Sequence, residues 1–150
     1  MTLRVHVERV VAARPDRVFA MHTDPGELAH WFGPHGFTAR SVELDLRVGG
    51  RYRIEMRPPE GAPFFLTGEL LEIERPTRLV YSFVYEEPDP DDRETVVTVS
   101  LAAVAEATTR CTVDQGDFAT EARRALHDRG WTDSLDRLEQ VLAADHGVGR

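Results

Sequence analysis

Residues 119–143 read ATEARRALHDRGWTDSLDRLEQVLA. Trp131, Leu135, Leu138 and Leu142 recur at spacings of four, three and four, the period of a helix with one apolar face. At 1.5 Å per residue the segment is about 36 Å long. An apolar stripe of that length needs a surface to cover it. Followed towards the N-terminus, the same face carries His127 and Arg124, and Leu126 points away from it. The C-terminal half is therefore fit for packing, whereas the N-terminal half offers polar groups either to a cavity or to solvent.

The covering surface is legible immediately upstream. From about Phe37 to Gln115 the apolar period is two, with turn residues at hairpin distances. Val42, Leu44 and Leu46 share a strand face, and Gly49-Gly50 turns the chain into Tyr52, Ile54 and Met56. Pro58-Pro59-Glu60-Gly61 precedes a strand from Phe64 to Ile73, in which Gly68 is a candidate bulge. Pro76-Thr77 leads into Leu79, Tyr81, Phe83 and Tyr85, then come Val97, Val99 and Leu101, then Cys111 and Val113. The result is an antiparallel meander. Between two of its strands, Glu86 to Glu94 holds six acids, one Arg and two prolines, the composition of a solvated loop.

Ahead of the meander, Leu3, Val5, Val7 and Val10 to Ala12 predict an opening strand. Arg14-Pro15-Asp16 starts a helix with Val18, Phe19 and Met21 on its apolar side. Asp24-Pro25-Gly26-Glu27 starts another, with a capping carboxylate, a first-position proline and a Glu three residues after the cap. Two short helices are expected, ending near Gly33-Pro34.

Composition fits one globular domain spanning residues 1–150: 41% hydrophobic and 29% charged residues, with a mean hydropathy of -0.36. The net charge of -8 opposes attraction to nucleic acid or to anionic membranes. Cys111 is the single cysteine, which excludes an internal disulfide or a multi-cysteine metal cage. Met1 to Val11 has no signal-type apolar core, and no run reaches the length of a membrane span. A cytoplasmic protein is expected.

Strand, two short helices, meander and long final helix make an α+β helix-grip arrangement, a curved antiparallel sheet wrapped around the C-terminal helix. The chain resembles the SRPBCC superfamily of START-like and birch-pollen-allergen-like domains. Within it, the chain is similar to bacterial proteins related to the C-terminal domain of the heat-shock-protein ATPase activator. The likeness is carried by Pro15-Asp16-Arg17-Val18-Phe19, Thr23-Asp24-Pro25, Trp31-Phe32-Gly33-Pro34, Leu46-Arg47-Val48-Gly49-Gly50, Leu71-Glu72-Ile73, Arg78-Leu79-Val80-Tyr81 and Gly130-Trp131-Thr132-Asp133-Ser134-Leu135. One departure is Trp31-Phe32, where relatives commonly carry two tryptophans. The resemblance implies a cavity between helix and sheet for apolar or aromatic molecules. It does not imply one reaction.

Candidate site residues follow from inward-facing parity. Phe19, Trp31, Phe32, Tyr81, Phe83 and Trp131 each fill either a core or a cavity wall. Counting back from Ile73 and Leu71 turns Glu69 and Thr67 inward, unless a bulge at Gly68 reverses them. Glu69 with His127 or Arg124 would make a polar anchor or a structural ion pair. His35, in the loop Gly33-Pro34-His35-Gly36, is placed to reach a cavity mouth. His22, His30 and His35 lack the three- or four-residue spacing of a chelating pair, so no metal site is expected.

Cys111 lies in an alternating strand, as a buried thiol would. There is no nucleophile elbow, phosphate loop or dinucleotide fingerprint, and no cofactor is expected. The leading expectation is binding of a small apolar or aromatic ligand by Phe19, Trp31, Phe32, His35, Glu69, Tyr81, Phe83, His127 and Trp131. The alternatives are a cofactor-free cyclase or hydrolase using His127, Glu69 or Tyr81 for acid/base work, and a chaperone-associated interaction module. An edge strand could support a homodimer.

Overall fold

The computed structural model describes residues 2–148. Seven strands and three helices follow in the expected order: β1 (Val5–Val11), α1 (Pro15–Thr23), α2 (Pro25–Leu28), β2 (Thr38–Leu44), β3 (Arg51–Arg57), β4 (Phe64–Glu74), β5 (Arg78–Tyr85), β6 (Thr95–Ala105), β7 (Thr108–Gly116) and α3 (Glu121–Val148). They form one curled antiparallel sheet in the order β1-β7-β6-β5-β4-β3-β2, with β1 and β2 at the edges. The architecture is α+β of the helix-grip type.

Local chemistry explains the helix starts. Pro15 and Pro25 occupy first-turn positions of α1 and α2, where their missing N–H costs nothing. Asp24 ends α1, and its side chain accepts the Glu27 N–H at 3.1 Å. One residue therefore closes one helix and caps the next. α2 stops at Leu28, earlier than the sequence suggests, because the chain tightens into turns and Gly33 takes a φ of +110°.

The core is the inner sheet face plus the stripe of α3. Val5, Val11, Val97, Val99, Cys111 and Val113 are buried on β1, β6 and β7, below Leu135, Leu138 and Leu142 of the helix. Arg9 of β1 pairs with Asp136 and with Glu139, tying the edge strand to α3.

In β4 the parity differs from the sequence reading. Leu66, Gly68 and Leu70 are buried, and the register slips between Leu70 and Glu72. The bulge thus lies at Leu71, which is exposed, and not at Gly68. Counting from Ile73 across that bulge inverts every earlier position, so Glu69 and Thr67 belong to the outer face. Gly68 stays in regular register opposite Tyr52. A Cβ there would stand 2.0 Å from the Ser82 carbonyl oxygen and 2.6 Å from the Tyr52 ring. The glycine is a passage for Tyr52, whose hydroxyl donates to that same carbonyl at 2.7 Å.

A cavity between the polar half of the last helix and the sheet

Where α3 loses its apolar stripe, it stands off the sheet over a cavity of about 440 Å³. That is within the usual range for small-molecule sites. Arg123, Leu126, His127, Gly130, Trp131 and Ser134 form the helix wall, positions three and four apart on one face. Met56, Phe64, Leu66, Phe83 and Tyr85 form the sheet wall, and Phe32 to Pro34 close the inner end. The cavity lies to the Arg123 side of the helical stripe. Arg124, on the other side, is occupied with Glu121 and Asp128 on the surface.

The inner end is held rigidly. Trp31 donates its indole N–H to the Met21 carbonyl at 2.9 Å. Ser134 Oγ accepts the Gly33 N–H at 3.0 Å, and Asp133 accepts the His35 N–H at 3.2 Å. One guanidinium nitrogen of Arg137 faces the carbonyls of Phe32, Gly33, Pro34 and Phe37 at 3.0 to 3.4 Å. The sequence motifs around Trp31 and Trp131 are thus two sides of one joint.

Trp131 is fixed by its indole N–H, which donates to Gln115 Oε1 at 2.7 Å, and Gln115 in turn donates to Thr95 Oγ1 at 2.9 Å. Gln115 is fully buried, and these two hydrogen bonds satisfy its amide away from water. The Phe32 ring packs edge-on to Trp131 at 5.7 Å.

The polar centre of the cavity is a pair the sequence did not announce. Tyr85 Oη and His127 Nε2 are 2.9 Å apart, and His127 is packed among the rings of Phe83, Tyr85 and Phe118. Burial, reinforced by the nearby Arg123 cation, lowers the His127 pKa to about 4. The Tyr85 phenol is pushed upward by burial. Both groups are therefore neutral at neutral pH, and the pair is a hydrogen-bonding unit with no charge.

At the mouth the acidic loop folds back over the opening. Glu87, Asp89 and Asp92 line it together with Arg123. Arg123 contacts Asp92 at 2.6 Å and Asp89 at 3.8 Å, and the Asp92 side chain is only 9% exposed. Asp92 also accepts the Asp89 N–H at 2.8 Å. The loop is therefore anchored where composition alone indicated a solvated segment.

The nine expected site residues separate cleanly. Phe32, Phe83, His127 and Trp131 line the cavity. Tyr81 faces a second void of about 30 Å³ beside His22 and Tyr52, room for about one water. Phe19 and Trp31 are core residues, 3% and 0% exposed. Glu69 lies on the outer sheet face and offers no anchor to His127. His35 is on the surface, its ring 3.7 Å from Asp133 and 3.6 Å from Asp136. These three could converge on one ion, a grouping that sequence spacing did not reveal because the partners are a loop and a distant helix. Asp136 there is already committed to Arg9.

Cys111 is fully buried, its thiol pushed up to about 12 by burial. No helix among the described residues is long and apolar enough to cross a membrane.

The profile of the family described as activator of Hsp90 ATPase homolog 1-like protein matches residues 12–143. No curated protein matches the chain. Among solved structures, a protein from Chromobacterium violaceum superposes with a TM-score of 0.81 at 26% identity, covering 93% of this chain and 96% of its own. A protein of the same family from Silicibacter pomeroyi gives 0.79 at 26% identity, covering 95% and 99%. An Hsp90 activator from Plasmodium falciparum shares the fold, with a TM-score of 0.70 at 20% identity over 94% and 96% of the two chains.

Proposed function

The chain belongs to the family of activator of Hsp90 ATPase homolog 1-like proteins, and from that footing we propose that it binds a small apolar or aromatic molecule in the cavity under α3. The observation that carries this reading is the aromatic-walled space of about 440 Å³ with an uncharged Tyr85–His127 pair at its centre. Large flat walls supply burial free energy of roughly 25 cal/mol per Å², and a few polar groups set orientation.

Binding is favoured over acid/base turnover by the same pair. A general base works best with a pKa near the operating pH, whereas His127 lies near 4 and Tyr85 is shifted the other way. A second reading, stimulation of a chaperone ATPase, is supported by the family's name and by the fold shared with the Plasmodium falciparum protein.

The decisive variant is Gly130→Leu. A Cβ at Gly130 meets nothing closer than Pro34 at 3.8 Å, and leucine is the better helix former, so the protein folds while the new side chain occupies the cavity. Native mass spectrometry of freshly purified wild type should show a co-purifying small molecule that Gly130→Leu lacks. An equal load on both proteins would refute the cavity as the binding site.

A further inference from the structure

We propose that the cavity selects a protonated aromatic amine, with its ring in the aromatic interior and its ammonium at the Glu87–Asp89 rim. This rests on the cavity being the binding site, and it adds the charge of the occupant.

The interior points to a ligand before the rim is considered. His127 is 9% exposed; its Nε2 is engaged by Tyr85, and its Nδ1 makes no hydrogen bond among the described residues. In either tautomer the pair has one donor and one acceptor to spare, a set that suits a neutral hydroxyl or amide and leaves a carboxylate without a cation. A buried anion without a counter-charge is strongly disfavoured.

Next, the charge at the mouth is one-sided. Glu87, Asp89 and Asp92 face a single guanidinium, that of Arg123, and His127 adds no positive charge near neutrality. Asp92 neutralises Arg123 through the 2.6 Å contact, and Arg123 Nε is buried without an acceptor. The charge of the guanidinium is therefore already matched by Asp92, and an anion entering beside it would also face Glu87 and Asp89. Asp89, 74% exposed and 3.8 Å from the guanidinium, is only loosely compensated, and Glu87 is exposed. The rim thus keeps an excess of negative charge, within a chain whose own net charge is -8.

The walls have the same preference. Aromatic faces attract cations through their quadrupole, and the Arg123 guanidinium carbon already sits 5.8 Å from the Tyr85 ring centroid. Rings with carboxylates at the opening are the combination that recognises an organic ammonium.

The test uses three probes of one ring system: naphthylethylamine, naphthylethanol and naphthylacetate. Each is titrated into the full chain by calorimetry at low ionic strength and neutral pH. The amine should bind about tenfold more tightly than the alcohol, in keeping with two partly exposed ionic contacts, and the carboxylate more weakly than both. The Glu87→Gln/Asp89→Asn variant, with its fold checked by circular dichroism, should reduce the amine to the affinity of the alcohol. An amine no tighter than the alcohol, an advantage that survives the double variant, or a carboxylate that binds best would overturn the charge preference. The cavity reading would still stand in those cases if Gly130→Leu abolished binding of all three. Failure of every probe to bind the wild type would remove both.

Discussion

Arg137 does at one position what several loop residues would otherwise have to do. The segment from Phe32 to Phe37 turns through two glycines with positive φ and aims its carbonyls at α3, where one guanidinium nitrogen serves all of them. Burial lowers the Arg137 pKa, an effect that the nearby Asp133 carboxylate partly offsets, and the hydrogen-bond acceptors of the guanidinium are the loop carbonyls. Arg137→Ala should cost about 2 kcal/mol, a fall in melting temperature of roughly 4–8 °C for a domain of this size. Arg137→Lys, a single point charge, should recover only part of it. A thermal melt of the three proteins checks this, and an unchanged midpoint for Arg137→Ala would contradict the role. None of it was visible in the sequence, where Arg137 is one of many charged residues on an amphipathic helix and its partners are backbone atoms about a hundred positions away.

Elements were more legible than individual contacts. Period and punctuation located every strand, the Asp24-Pro25 cap and the long helix, because each is set by residues close in the chain. Parity failed once, in β4, where a bulge at Leu71 turned Glu69 outward. Nothing local separates Leu71 from Gly68 as the bulge site, since the tie-breaker is Tyr52 crossing over Gly68 from the neighbouring strand. Alternation also distinguishes inside from outside but not core from cavity. Phe19 and Trp31 pack solidly while Phe83 and Trp131 face space, a difference that depends on where α3 lifts away from the sheet. The acidic loop shows the same limit, because its anchor is Arg123 on another element.

For the molecule as a whole, the two buried histidines set an acid limit. His22 is buried edge-on to Trp31 at 4.8 Å, with its Nε2 3.7 Å from the Cys111 sulfur and no carboxylate in contact among the described residues. His127 meets Tyr85, with Arg123 and Asp92 nearby. Burial lowers both pKa values from 6.5 to about 4. Below pH 6.5 the unfolded chain takes up protons that the folded chain refuses, so stability falls as the pH drops from about 6.5 to about 4 and is fully present above that window. The depression amounts to roughly 3 kcal/mol per histidine at the acid end. Urea midpoints across this range should decline steeply for wild type and more shallowly for His22→Gln or His127→Gln. Equal slopes in all three proteins would show that other groups govern the acid transition.

The most direct test of the central claim uses the chain's two tryptophans, one on the cavity wall and one in the core. Two-dimensional nitrogen–proton spectra resolve their indole N–H signals, and naphthylethanol, being uncharged, probes the cavity independently of any charge preference. Titration should move the Trp131 resonance along a saturable path and leave Trp31 largely in place, with the Trp131 shift lost in Gly130→Leu. If Trp131 stays fixed while the probe binds, or if only Trp31 responds, the ligand lies elsewhere and the cavity is not the site.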